Sequence, residues 1–246
     1  MTFPATAVLE VEHVTKSFGV PVLDDLSLTV RAGDAVGIVG PNGAGKTTLI
    51  DVVAGDLRAD AGTVRFAGRD ITHERADRRC RAGLARTAQV PRPFEQMTVF
   101  ENVLAGSMYG SGAPRRERDA VPLAVAALER THLIDRANAR AGSLALLGRK
   151  RLELARALAT QPTLLLLDEI AGGLTDAEVH ELIDDIKAIH ADGTTIVWIE
   201  HVVHALLAVV DRMMAMSFGR KIGEGDPAVV MASPEVQEVY LGVAPE

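Results

Sequence analysis

The sequence predicts an α/β fold in which a glycine-rich loop joins a buried strand to a helix. Three observations carry this. Gly40-Pro41-Asn42-Gly43-Ala44-Gly45-Lys46-Thr47 lies between the short apolar run Ala35 to Val39 and a helix-like segment, Gly45 to Val53. Thr163 to Leu167 and Thr194 to Ile199 are continuous apolar runs, the pattern of strands buried on both faces. From Asp70 to about Ala159 the chain reads as mostly helical, as expected of a helical subdomain inserted into an α/β core.

The first third reads as strands and turns. Leu9, Val11 and His13 alternate with Glu10 and Glu12, and Leu26, Leu28 and Val30 with Ser27 and Thr29. Ala32-Gly33-Asp34 turns the chain, and Thr63 to Phe66 is a further strand between Gly62 and Gly68. The helical middle carries two arginine-rich patches, Arg75 to Arg81 and Arg115 to Arg118, and is interrupted at Gly110 to Pro114. Thr175 to His190 is a marked helix, with a possible Thr175/Glu178 capping box, an apolar face of Val179, Leu182, Ile183, Ile186 and Ile189, and Gly193 at its stop. A helix over Val202 to Val209 and a strand over Arg212 to Met216 follow, and Ser233-Pro234 opens a last short helix.

Composition narrows the classes. The 246 residues, 24% charged and 48% apolar, predict one to two domains and exclude a disordered chain. A lone cysteine, Cys80, rules out an intramolecular disulfide framework. The formal charge of −7 argues against nucleic-acid binding. Apolar stretches fall short of the ~18 residues of a membrane span. The start has no basic region and reaches acids early, unlike a secretion signal.

The loop fits G-x-x-x-x-G-K-[ST] in the strand–loop–helix setting that the motif requires. Glycines let successive backbone N–H groups turn inward around phosphate oxygens, and the following helix points its positive end at them. Lys46 reaches the terminal phosphates; the Thr47 hydroxyl suits Mg²⁺, with Thr48 next in the loop–helix junction. The loop alone does not separate kinases, GTPases, motors and transporters. Leu164 to Leu167 is followed by Asp168-Glu169. A buried strand ending in a carboxylate offers Asp168 as a Mg²⁺ ligand, and Glu169 could polarise a water for attack on the γ-phosphate.

With these residues in order, the chain resembles the ATP-binding subunits of ABC transporters over essentially its whole length. Phe18, in Lys-Ser-Phe-Gly, matches the aromatic that stacks on adenine. Gln89 matches the glutamine that touches Mg²⁺ and the attacking water, and begins the loop that feels the membrane partner. Gly173-Leu174-Thr175 matches the dimer-contact loop, and His201, in Trp-Ile-Glu-His, the histidine that reaches the γ-phosphate. The resemblance implies a P-loop NTPase core of ABC ATPase type, with an N-terminal antiparallel β subdomain and an inserted α-helical subdomain. It implies one domain over residues 1–246, with core parts 1–89 and 160–246 and a helical signature subdomain 90–159. ATP and Mg²⁺ are the implied cofactors.

Ala82 to Thr87, Met97 to Val103, Arg151 to Leu158 and the terminal Tyr240-Leu241-Gly242 look like the ATPases of branched-chain amino-acid importers. Implied partners are membrane permease subunits, a second ATPase subunit in a hetero- or homodimer and, indirectly, a substrate-binding protein. The implied place is peripheral, on the cytoplasmic face of the inner (plasma) membrane. The rivals are a weakly hydrolysing regulatory subunit and an ABC ATPase of another system, such as lipid export. A GTPase is disfavoured, because the guanine-reading N-K-x-D is absent from the sequence.

The family signature L-S-G-G-Q reads here Leu144-Ala145-Leu146-Leu147-Gly148. Ala145 cannot donate a serine hydroxyl bond to a γ-phosphate, worth ~1.5–3 kcal/mol. Leu147 replaces a glycine, Ile170 stands for the usual proline and Thr175 for the usual aspartate. The resemblance therefore implies two unlike sites in a dimer. Met213, Met214, Met216 and Trp198 are expected in the core, and the arginine clusters on solvated helix faces. Cys80 sits among arginines, which would lower its thiol pKa.

Overall fold

The computed structural model describes residues 7–114 and 116–241. Arg115 of the second arginine patch, Gly242 of the terminal motif and the first six residues of the start lie outside them. The described residues form two compact units, 7–76 with 195–241, and 77–114 with 116–194.

The first unit opens with the hairpin β1 (Ala7–Ser17) and β2 (Pro21–Arg31), followed by β3 (Ala35–Val39), α1 (Lys46–Ala54), β4 (Ala61–Phe66) and β5 (Arg69–Asp70). Strands β2-β1-β4-β5 make the expected antiparallel sheet. Its β1–β2 register shifts at four places. The β1–β2 pairing shifts between Val11 and Val14, and His13 takes φ 52°. That bulge turns His13 outward, against Asp25 at 2.7 Å, and puts Val14 into the core beside Leu9 and Val11.

In the second unit α2 (Ala76–Ala82) is followed by β6 (Leu84–Arg86), α3 (Val99–Ser107), α4 (Glu117–Arg130), α5 (Leu146–Ala159), β7 (Leu164–Asp168) and α6 (Asp176–Ala191). The helical reading of Asp70 to Ala159 thus needs correction. Gly83 (φ 105°) stops α2, and its carbonyl accepts from the Thr163 and Leu164 amides, which starts the parallel pairing of β6 with β7. Residues 87–98 form neither helix nor strand. Helices pack closely where side chains are small. Ala120, Ala124 and Ala127 line the buried side of α4, and a Cβ on Gly106 of α3 would lie 2.6 Å from the Arg156 carbonyl of α5.

Not all of the first arginine patch is a solvated face. Arg79 is 1% exposed, whereas Arg78 and Arg81 are exposed. Nor do the arginines depress the Cys80 thiol: burial pushes it up and outweighs Arg81. Helix α6 follows its pattern, with all five apolar-face residues buried and the Thr175/Glu178 box formed.

The chain returns to the first unit through β8 (Thr195–Ile199), α7 (Val203–Leu207), β9 (Arg212–Ser217), β10 (Arg220–Gly225), α8 (Pro227–Ala232) and α9 (Pro234–Leu241). β3 lies parallel to both β8 and β9, and β10 pairs antiparallel with β9. Met213, Met214, Met216 and Trp198 are buried, as expected. Helix α7 is shorter than the Val202 to Val209 reading, whereas β10 and α8 went unread. Two glycines hide β10; α8 shows its signal in Asp226-Pro227, where the Asp226 carboxylate accepts from the Ala228 and Val229 amides. Among the described residues no helix is long and apolar enough to cross a membrane.

A second capping box, Thr98 with Glu101, starts α3. Both capping carboxylates, Glu101 and Glu178, are held below their ordinary 4.5 by the threonine backbone N–H first and the hydroxyl second. Stability from that source is complete above pH 4.5 and is lost as pH falls through the lowered native values. Thr98→Ala is expected to cost about 1 kcal/mol in thermal unfolding and to weaken the acid sensitivity of α3; an unchanged melting curve would contradict the capping role.

Candidate functional site: a phosphate-binding loop and a carboxylate strand end

All five residues of β3 are buried, so the strand delivers the chain to Gly40 in a fixed position. The loop then turns twice through left-handed backbone, at Gly43 (φ 82°) and Gly45 (φ 95°). Gly45 is the N-cap of α1 with no side-chain cap, and a Cβ there would lie 2.5 Å from the Val22 carbonyl. The Ala44 amide donates to the Pro41 carbonyl, and Asn42 and Gly43 stay exposed at the rim. Lys46 is 6% exposed; its ammonium donates to the Gly40 (2.7 Å) and Pro41 (3.0 Å) carbonyls. The lysine therefore lies along its own loop, with its charge beside the start of α1. Thr47 and Thr48 follow in the first turn, half-buried. This donor set, amides plus one ammonium at a helix start, fits the phosphates of a nucleotide.

The same unit holds Phe18 and His201. Phe18 is 59% exposed, and the Lys16 ammonium lies 5.4 Å from its ring centroid. Asp60 fixes this corner: it accepts from Lys16 at 2.7 Å and from the Ser17 amide at 2.7 Å, and these bonds hold its carboxyl below the usual range. An exposed aromatic face beside a cation suits stacking on a base. His201 is exposed at the end of β8. The buried Glu200 carboxylate accepts from the His201 and Val202 amides and lies 3.7 Å from His201 Nδ1.

In the second unit β7 ends at Asp168, which is 0% exposed. Arg86 donates to Asp168 Oδ2 at 2.9 Å, and the Asp168 amide donates to Thr87 Oγ1. Glu169 takes φ 46°, a left-handed conformation that costs a non-glycine residue roughly 1–2 kcal/mol. Strain of that kind gathers at functional sites. Gln89 Nε2 donates to Glu169 Oε2 at 2.5 Å, so the structure brings these two predicted residues together. They line a cleft of about 270 Å³ with Val90, Pro91, Leu146, Lys150 and Gly172. The oxygen donors Asp168 and Gln89 have the chemistry of a Mg²⁺ shell.

Sequence reasoning passed over Arg86, Lys150 and Glu200. Glu200 had a readable signal, because Thr194 to Ile199 ends on an acid just as Leu164 to Leu167 ends on Asp168. Arg86 and Lys150 act across long sequence separations, and no local pattern marks them.

The signature segment opens α5. Ala145 stands at the N-cap with no side-chain bond, and Leu147 is buried. A Cβ on Gly148 would meet the Leu144 side chain at 3.3 Å.

Known proteins resemble this chain over nearly its whole length. The ABC transporter family profile matches residues 23–172, and that of the branched-chain amino acid ATP-binding cassette transporter matches residues 220–246. The chain is 35% identical to a probable branched-chain amino acid transport ATP-binding protein, LivG, of Methanocaldococcus jannaschii, covering 96% of this chain and 97% of that one. It is 33% identical to the high-affinity branched-chain amino acid transport ATP-binding protein BraF of Pseudomonas aeruginosa, covering 96% and 98%. A crystal structure of a nucleotide-free ATP-binding cassette from an ABC transporter superposes with a TM-score of 0.88 at 33% identity, covering 97% of this chain and 100% of that one. Another cassette, in its ADP conformation, gives 0.87 at 34% identity, with the same coverage. The glycine-turned loop, the buried strand ending in Asp168-Glu169 and these likenesses lead to one conclusion: the chain belongs to the ABC transporter family and is its ATP-binding cassette, an ATPase.

Proposed function

We propose that this ATPase powers uptake of branched-chain or similar small amino acids or amides through membrane permease subunits. The observation that carries the substrate class is the C-terminal match to the branched-chain cassette profile, in a chain whose relatives are named for that transport. The chain sits at the cytoplasmic face of the inner membrane, paired with a second ATPase subunit. A substrate-binding protein outside chooses the cargo. The working division of the chain is a nucleotide-binding core, 1–89 and 160–246, and a signature subdomain, 90–159.

In this reading Phe18 stacks on adenine, and the amides from Gly40 to Thr48 with the Lys46 ammonium hold the phosphates. Thr47, Asp168 and Gln89 would hold Mg²⁺, which supplies charge neutralisation between the phosphates. Glu169 accepts a proton as water attacks the γ-phosphorus and ADP leaves. Gln89 orients that water, and His201 faces the γ-phosphate. Most of the rate comes from positioning and charge stabilisation.

A second reading rests on Ala145, whose methyl group stands at the N-cap where the family signature has a hydroxyl. The site that borrows this signature turns over slowly, and the dimer carries two unlike sites. ATPase rates of the complex with one phosphate loop disabled at a time separate the two readings.

Glu169→Gln is expected to leave ATP binding intact and cut turnover ~10²–10⁴-fold; unchanged turnover would remove Glu169 from the role of base. Lys46→Ala is expected to abolish tight nucleotide binding in calorimetry, and undiminished affinity would remove the loop assignment. Membrane vesicles carrying the assembled complex and ATP are expected to accumulate labelled leucine supplied with its binding protein. Accumulation of a lipid reporter in its place would overturn the substrate class.

A further inference from the structure

Helix α5 carries a polar stripe that the proposed mechanism leaves unused. Lys150, Glu153 and Arg156 are spaced three apart and so fall on one side of the helix. All three bond the segment that begins at Gln89. The Lys150 ammonium donates to the Gln89 carbonyl at 2.9 Å. Glu153 Oε1 accepts from the Arg92 amide at 2.9 Å, and Arg156 donates to the Arg92 carbonyl at 3.0 Å. The Arg156 guanidinium also lies 5.0 Å from the Phe94 ring centroid. Lys150 does one thing more: it donates to the Glu169 carbonyl at 3.3 Å. It is 5% exposed, deeper than a lysine with a solvent role.

One buried cation thus joins the main chains of Gln89 and Glu169, whose side chains meet at 2.5 Å. Glu169 is also the residue held at φ 46°, so its carboxylate direction depends on whatever fixes that backbone. A hydrogen bond from a charged donor is among the stronger ties available. We propose that Lys150 is a positioning residue, whose ammonium holds the Gln89 amide and the Glu169 carboxylate in one arrangement and ties that arrangement to α5. The signature segment stands at the start of the same helix. A shift of α5 therefore reaches the attacking water through Lys150. The stripe also binds residues 89–94 to α5 as one body, so force arriving at that segment is felt at the hydrolytic carboxylate.

This inference rests on Glu169 and Gln89 acting as proposed above. The test measures ATP affinity, kcat and KM on the full chain for Lys150→Met, Lys150→Gln and Lys150→Arg, beside Glu169→Gln. Lys150→Met is expected to lose about 10- to 100-fold in kcat with ATP affinity within about twofold. Lys150→Arg is expected to recover most of the rate, and Lys150→Gln to fall between, all measured where each variant keeps its native circular dichroism. Hydrogen exchange in Lys150→Met is expected to rise at residues 89–94 and 168–170 and to stay unchanged along α5. Wild-type turnover in Lys150→Met beside an inactive Glu169→Gln overturns the positioning role and leaves the base assignment standing. Wild-type turnover in both removes the base assignment itself. Equal losses in the Met and Arg variants, with affinity falling in step, mark Lys150 as packing and overturn the proposal.

Discussion

The chain leaves a fully buried strand at Val39 and enters a helix at Lys46, and in between it must turn through left-handed backbone. Only residues that accept left-handed backbone do this without strain, and glycine stands at both such positions, Gly43 and Gly45. At Gly45 space adds a second constraint, since any side chain would strike the Val22 carbonyl. Neighbouring parts of the first unit are arranged around that turn. β3 must be flanked on both sides, which β8 and β9 do in parallel, and Lys46 must lie back over the loop that it closes. The position of one ammonium is thereby set by strand burial and glycine backbone.

The second unit solves a different problem, the burial of charge. Asp168 is fully buried at a strand end; the Arg86 guanidinium meets its charge, and its backbone amide donates to the Thr87 hydroxyl. Lys150 is buried as well, and its bonds run to main-chain carbonyls. Conformational strain at Glu169 sits between these two anchored charges. Few contacts therefore set the direction of the Glu169 carboxylate, the group proposed to activate water.

Local chemistry made most of the frame legible. The loop motif, the Thr175/Glu178 box and the leucine run before Asp168 each act within a few residues, and each stands where the pattern put it. What escaped depends on partners far along the chain. β6 exists because Gly83 meets Thr163, and Arg79 is buried although Arg78 and Arg81 are exposed. His13 broke the alternation through a bulge that no propensity announces. Within the site, the contact of Gln89 with Glu169 spans 80 residues. The expectation for Cys80 failed because charge in the sequence neighbourhood counts for less than burial.

In the proposed function the backbone amides at the head of α1, with Lys46, carry the phosphates. A titration of the isotopically labelled chain with a non-hydrolysable ATP analogue, followed by amide chemical shifts, tests it directly. The largest shifts are expected at Gly43, Ala44, Gly45, Lys46 and Thr47. Saturable binding that leaves those five amides unmoved while others shift would contradict it.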